Sequence, residues 1–471
     1  MTRRLLTIAL ATSTLTATSS AQTMDQVDSI MHAYSGQVPG ASLLVVQGGK
    51  PVIHRSYGFS DLEKKTSATS ATNYRLASVT KQFTAAAILL LVQDRKLSLG
   101  DGVRRWLPSL PAALDSVTLT HLLTHTSGII DYEDVMAPDT KTQLHDADVL
   151  KLLETQDSTY FTPGTGYRYS NSGYTLLALI VERASGQRFA SFLRDRIFKP
   201  LGMSHTVAFE DGISAVSNRA YGYTLKDGTW TRRDQSLTSA VLGDGGIYSS
   251  IDDLAKWDAA LYTDKPFSAS IREQMWAPVK LNDGKTHPYG FGWMLGELRG
   301  HPFVAHGGGI HGFSTYIARF VEDKLTVIVL MNAGDDAGNV AHGIAGHYLP
   351  GLTLASIKPP KKDPDPDLTE RIKQSLFDLA EKKDSDRITS EFREDYRRSG
   401  NRAESLRKRL AEMKSFTLVT SDQPPKTRPD RFGVPIARVY AYKLVTPEET
   451  RFYTFELTRD NRVAWYQSSA E

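Results

Sequence analysis

Three short clusters in the 471-residue chain hold residue types suited to nucleophilic and proton-transfer chemistry. The first is Ser78-Val79-Thr80-Lys81. At the start of a helix, side chains at i and i+3 share one face. A serine hydroxyl is a weak nucleophile until a base takes its proton. A lysine can be that base once burial lowers its pKa, and the apolar run at residues 85–91 supplies such a setting. The N-terminus of a helix also offers N–H groups and a positive dipole end to a developing oxyanion. The second cluster is Tyr169-Ser170-Asn171, the one Tyr-x-Asn in the chain. A tyrosine there can accept or relay a proton, and an asparagine amide can hold both a substrate and the lysine. The third is His306-Gly307-Gly308-Gly309. Its glycines allow a backbone to approach a ligand closely, and its histidine can donate or accept.

Each cluster also has a purely structural reading. Ser78 can be an N-cap followed by a snorkelling lysine. Ser405-Leu406-Arg407-Lys408 has the same spacing in a highly charged stretch, where it reads as a solvated helix face. Tyr169-Ser170-Asn171 can be a turn, and the glycines a strand connection. Two other histidine patterns compete. His121 and His125 have the i, i+4 spacing of a helical zinc pair but lack the protease glutamate and an obvious third ligand. The His-Gly-Gly-Gly run matches a lipase oxyanion loop, but the chain has no Gly-x-Ser-x-Gly.

The elements around these clusters follow from periodicity. Strands are predicted at residues 41–47 and 51–57, joined at Gly48-Gly49-Lys50, after a helix at 24–34. A buried helix is predicted at 80–93, with further helices at 117–125 and 173–184. Strands at 303–306, 314–320 and 325–331 follow, the last apolar enough to be central in a sheet. Strands at both ends with helices between predict an α+β fold. Its antiparallel sheet is built from both termini of the domain, with flanking helices and a helical subdomain.

Composition divides the chain. From residue 351 on, 44 of 121 residues are charged, against 65 of the first 350. The segment 356–367 is Pro-rich and charged, as a linker is. Residues 22–355 therefore form one domain and 368–471 a small α+β domain, with helices at 368–382 and 401–415 and strands at 416–420, 436–444, 451–457 and 462–467. Residues 1–21 read as a secretory signal, with Arg3-Arg4, an apolar stretch at 5–15, and Ser19-Ser20-Ala21 before a cleavage that leaves Gln22 first. The location implied is secreted or periplasmic. Formal charge is +3, or about +1 without Arg3 and Arg4, which argues against nucleic acid as a partner. The absence of cysteine excludes disulfides, thiolate metal sites and cysteine nucleophiles. No cofactor or metal site and no transmembrane segment is read in the mature chain. The partner is a small-molecule or peptide substrate, and oligomeric state is left open.

Taken together and in this order, the three clusters resemble the serine β-lactamase and penicillin-binding protein superfamily, in its class C, DD-peptidase and esterase branch. The resemblance runs from about residue 25 to 350 and includes 121–129, Pro163-Gly164, Gly245-Gly246 before Ser249, and 289–293. It implies an acyl-enzyme mechanism. Ser78 attacks a carbonyl, Lys81 and Tyr169 share the proton transfers, and Asn171 orients the acyl chain. The N–H groups of Ser78 and Gly309 form the oxyanion hole, while His306 and Gly308 belong to the substrate-binding strand. Typical β-lactamases carry Lys-Thr-Gly where this chain has His306-Gly307-Gly308. A histidine is only partly charged near neutral pH, which shifts the expectation from β-lactams toward esters and D-amino-acid peptides. The alternative is a catalytically silent protein of the same fold that binds peptidoglycan-like ligands.

Overall fold

The structure is a computed structural model and describes residues 26–334, 336–354, 357–398, 402–422 and 430–470. The proposed signal segment at 1–21 lies outside the described residues. Two compact units are present. One comprises Met1–Gly296 and Pro302–Ala345, and the other Glu297–His301 and Gly346–Glu471.

The first unit is organised on a six-stranded antiparallel sheet. Its strands are β1 (Ala41–Gln47), β2 (Lys50–Tyr57), β3 (Met294–Leu298), β4 (His301–Ile310), β5 (Phe313–Phe320) and β6 (Leu325–Met331), in the order β3-β4-β5-β6-β1-β2. The sheet therefore joins both ends of the domain, with Leu44 opposite Ile328 across the β1–β6 seam. Every residue of β6 is buried, as is β1 up to Val46. Strands covered on both faces need apolar residues at consecutive positions, and Leu-Thr-Val-Ile-Val-Leu-Met supplies them. The β1–β2 turn places Gly48 and Gly49 at φ +57° and +78°. Two successive positive φ values define the hairpin turn that glycine tolerates best.

Between β2 and β3 the chain builds the helical part. Helix α1 (Lys81–Gln93) is buried on all sides from Lys81 to Leu91. Its Phe83 ring lies 4.7 Å from Trp257 and 5.6 Å from Phe198. Helix α2 (Asn171–Ser185) packs on α1 and ends at Gly186 in the left-handed conformation. Helices Ile251–Ala260 and Ala337–Ala345, which periodicity did not single out, pack on the sheet. Removing the Phe83 ring should leave a cavity in this core. We expect Phe83→Ala to cost about 3–5 kcal/mol of unfolding free energy, read as a lower denaturant midpoint.

The second unit has helices Pro366–Ala380, Ser390–Arg398 and Arg402–Ala411. They accompany an antiparallel sheet of Ser415–Asp422, Arg438–Val445, Thr450–Leu457 and Val463–Ala470 in chain order. Asp365 caps the first helix through Leu368 N–H at 3.1 Å, with Pro366 at its first turn. Ser390–Arg398 was not predicted. Its Phe392 and Tyr396 are buried, an i, i+4 pair outnumbered by the charged residues of the same helix. Among the described residues no helix is long and apolar enough to cross a membrane.

Candidate active site

Ser78 does not cap a helix. It lies in a 3-10 turn, Ala77–Thr80, that runs directly into α1, and Lys81 is the first α1 residue. The turn is entered through Ala77 at φ +47°, a conformation that costs a non-glycine residue about 1–3 kcal/mol. The surrounding chain holds it there. Leu76 N–H donates to Ile247 O at 2.8 Å, and Thr315 Oγ1 on β5 donates to Leu76 O at 2.7 Å.

Lys81 is fully buried, and its Nζ makes three contacts. It lies 3.1 Å from Ser78 Oγ, 2.9 Å from Asn171 Oδ1 and 3.0 Å from Asp244 O. The structure thus brings the Ser-Lys pair together with the Tyr-x-Asn cluster, 90 residues further along the chain. Asn171 is the first residue of α2 and is aimed by Asp131, whose Oδ2 accepts the Asn171 N–H at 2.7 Å. Burial lowers the Lys81 pKa to about 8, against the opposing pull of Asp244, Asp131 and Glu133. Burial pushes the Asp244 carboxyl the other way, up to about 7, and the Lys81 charge opposes that rise.

Tyr169 lies beneath this lysine, with Nζ 4.9 Å from its ring centroid. It is 37% exposed as a residue, yet its hydroxyl end is enclosed. Enclosure raises the phenol pKa far above its ordinary value, while a hydrogen bond to the Ser78 side chain pulls the other way. Tyr169 is therefore a neutral phenol beside Ser78 at neutral pH.

The third cluster lies on β4. Gly308 is buried, and a Cβ there would sit 2.1 Å from Leu76 O and 2.6 Å from Thr315 Oγ1. It is a close-packing position against the chain leading to Ser78. Gly309 differs, because a Cβ there would meet nothing within 4 Å. His306 is not the partly charged group expected. It is buried, its Nδ1–H donates to Gly307 O at 2.7 Å, and its Nε2 accepts from the Tyr289 hydroxyl at 2.9 Å. A carbonyl can only accept, which fixes the roles of the two ring nitrogens. Burial, helped by the Lys81 charge, lowers its pKa to about 3. The imidazole is neutral and supplies no cation for a carboxylate.

The His121–His125 zinc reading is overturned by the backbone. The helix carrying His121 ends at Leu123, and His125 has φ +59°, so the two do not share a helical face. His121 Nδ1 accepts the Thr118 N–H at 3.2 Å, and His125 Nδ1 accepts the Ser170 N–H at 3.1 Å. His125 instead packs among tyrosines, its ring centroid 4.3 Å from Tyr169 and 4.6 Å from Tyr289. Ser405 lies on an exposed part of helix Arg402–Ala411, as its charged surroundings imply.

Sequence reasoning missed the acids behind Lys81. Tyr132 donates its hydroxyl to Asp244 Oδ2 at 2.9 Å. Asp146 accepts the N–H groups of Leu242 and Gly243 at 2.9 and 3.0 Å, holding the turn that presents Asp244. Asp131 and Glu133 both act on Lys81 through their charge. Asp244 directly precedes the Gly245-Gly246 pair that the sequence did flag, but an isolated acid in a glycine-rich stretch reads as turn chemistry.

Comparison with known proteins shows the family and the fold. The family described as Beta-lactamase matches residues 21–346. Penicillin-binding protein 4* of Bacillus subtilis is 35% identical over 67% of this chain and 72% of its own length. A D-aminopeptidase of Brucella anthropi is 29% identical over 64% of this chain and 58% of its own. The octameric penicillin-binding protein homologue from Pyrococcus abyssi shares the fold, with a TM-score of 0.61 over 96% of each chain at 22% identity. With a buried lysine against a serine in a strained turn, and a family match over most of its length, the chain belongs to the β-lactamase family within the serine hydrolase superfamily.

Proposed function

We propose that this protein is an exported serine hydrolase that opens an ester or amide bond through a Ser78 acyl-enzyme. One observation carries the reading: Lys81 Nζ, fully buried, lies 3.1 Å from Ser78 Oγ with its other two contacts on fixed acceptors. A protonated lysine fills all three positions. When it loses a proton, Asn171 Oδ1 and Asp244 O hold the two remaining N–H groups, and the lone pair is left facing the Ser78 hydroxyl. Lys81 then takes the Ser78 proton as Oγ bonds to the substrate carbonyl carbon. The negative charge moves to the carbonyl oxygen, which the N–H groups of Ser78 and Gly309 receive. The bond to the leaving group breaks, and the proton passes to that group through Lys81 and Tyr169. Water then attacks the acyl carbon, giving a proton to the same pair and releasing Ser78. Asn171 orients the acyl chain.

Neutral His306 favours esters and D-amino-acid amides over β-lactams, which carry a carboxylate. The similarity to a D-aminopeptidase supports the same choice. The signal-like sequence at residues 1–21 supports export. Intact-mass spectrometry after a fluorophosphonate probe tests the reading. A single adduct is expected on the wild type and none on Ser78→Ala, with the mass of mature exported protein starting at Gln22. An equal adduct on both proteins would place the nucleophile elsewhere. Ligand binding without adduct or turnover would favour the silent binding protein.

A further inference from the structure

We infer that the cavity beyond the Gly309 end of β4 is a subsite for a substrate arm carrying a carboxylate, with Arg233 as its recognition residue. The inference rests on the Ser78 reading above. It adds the charge class of the substrate, which neutral His306 does not supply.

The cavity has a volume of about 600 Å³. It begins at Gly309, the proposed oxyanion donor, and is walled by Ile310, Tyr223, Leu225 and Trp230. The walls come from β4 and from the hairpin Tyr223–Lys226 and Thr229–Arg232. Leu225 is 54% exposed, so an apolar wall stands open to a ligand. Among the described residues the lining holds no Asp or Glu.

Its charge comes from Arg233. The neighbouring arginines are already matched: Arg232 pairs with Asp61 and Glu63, and Arg219 with Asp234. Arg233 hydrogen-bonds an imidazole rather than an acid, its Nη2 donating to His311 Nε2 at 3.0 Å. An imidazole that accepts at Nε2 carries its proton on Nδ1. His311 Nδ1 is shielded from solvent and has no acceptor among the described residues. The Arg233–His311 pair therefore offers donors only. A guanidinium anchored at one nitrogen keeps its remaining N–H groups for a planar anion, and a carboxylate matches that fork. Gly312 fixes the corner: a Cβ there would lie 2.5 Å from Arg233 O, so the β4–β5 turn is pressed against the backbone of Arg233. Apolar walls next to a guanidinium that has no acid partner among the described residues suit an aliphatic or aromatic stem that ends in a carboxylate.

The test uses two matched pairs of p-nitrophenyl-type esters. One pair has the arm on the acyl side and the other on the alcohol side, and the members of each pair end in a carboxylate or in its carboxamide. For at least one pair, the wild type should turn over the carboxylate member about tenfold better in kcat/KM, less so at high salt. Arg233→Gln should abolish that preference and Arg233→Lys keep part of it. Equal turnover of both members of each pair by the wild type would overturn the subsite. So would an equal slowing of both members by Arg233→Gln. Equilibrium binding of the same esters to Ser78→Ala separates this inference from the reading it rests on. If no ester or fluorophosphonate reacts at Ser78, the hydrolase reading falls. The subsite then stands only if carboxylate-selective binding is lost when Arg233→Gln is added.

Discussion

Replacing Lys81 by Met is expected to lower kcat/KM for any ester substrate by about 10³-fold, within the range set by loss of a positioned general base. Met fills a similar volume without placing a new charge in a fully buried site. The variant should therefore fold, and near-native circular dichroism should accompany the loss. In the wild type the rate of acylation should rise with pH through a limb near 8, where Lys81 becomes neutral. The sign follows from the direction of the shift. Burial lowers the lysine pKa, so its free-base form is populated closer to neutral pH than that of an exposed lysine. Asp244 works against that shift by favouring the charged lysine. Asp244→Asn should therefore move the rising limb to lower pH. Measurement of acylation rates against pH for the wild type, Lys81→Met and Asp244→Asn checks all three statements. A limb that stays in place in Lys81→Met would assign the titrating base to another group.

Gly308→Ala should have the second large effect. Its added methyl would lie 2.1 Å from Leu76 O and 2.6 Å from Thr315 Oγ1, and these two atoms are hydrogen-bonded to each other at 2.7 Å. Neither can move freely. Leu76 O belongs to the backbone just before Ser78, and Thr315 is on the strand paired with β4, opposite Gly308. Relief requires β4 to move away from the Ser78 turn. That separates Gly309 from Ser78, the two proposed oxyanion donors. A displacement of about 1 Å in such a site can cost about 10²-fold in rate, and we expect at least that loss in kcat/KM. Overpacking should also cost about 1–3 kcal/mol of stability. Gly309→Ala is the control. It has open space around the same methyl, so its denaturation midpoint should stay close to that of the wild type. Similar stability losses in the two variants would show that the crowding at Gly308 is relieved by some easier movement.

The residues that determine what this protein is were legible because they depend on local spacing. Ser78 and Lys81 are three positions apart, so one turn of chain brings their side chains together. The continuous apolar stretch at 325–331 becomes the fully buried β6, and the two glycines at 48–49 make the hairpin that pairs β1 with β2. Composition separated the charge-rich C-terminal region, while the helix Ser390–Arg398 escaped because its charged residues outnumber its two buried aromatics.

What the chain does with those residues was decided by folding. The strained Ala77 turn exists because strand Phe313–Phe320 and Ile247 hold Leu76 from both sides, and no local propensity calls for it. The Lys81 pKa is set by desolvation and by Asp131, Glu133 and Asp244, which come from two separate stretches of sequence. His306 could be read as a half-charged substrate ligand until Tyr289 and the Gly307 carbonyl were seen to claim both its nitrogens. His121 and His125 had zinc spacing, but a left-handed residue after Leu123 turned them apart. Sequence alone placed the proposed nucleophile, the proposed base and the sheet, because side-chain type and short-range geometry are carried by the covalent chain. Only the tertiary structure determined which groups are charged, which are walled in and which face a ligand, because desolvation and Coulomb interactions are set by residues distant in sequence that packing makes neighbours.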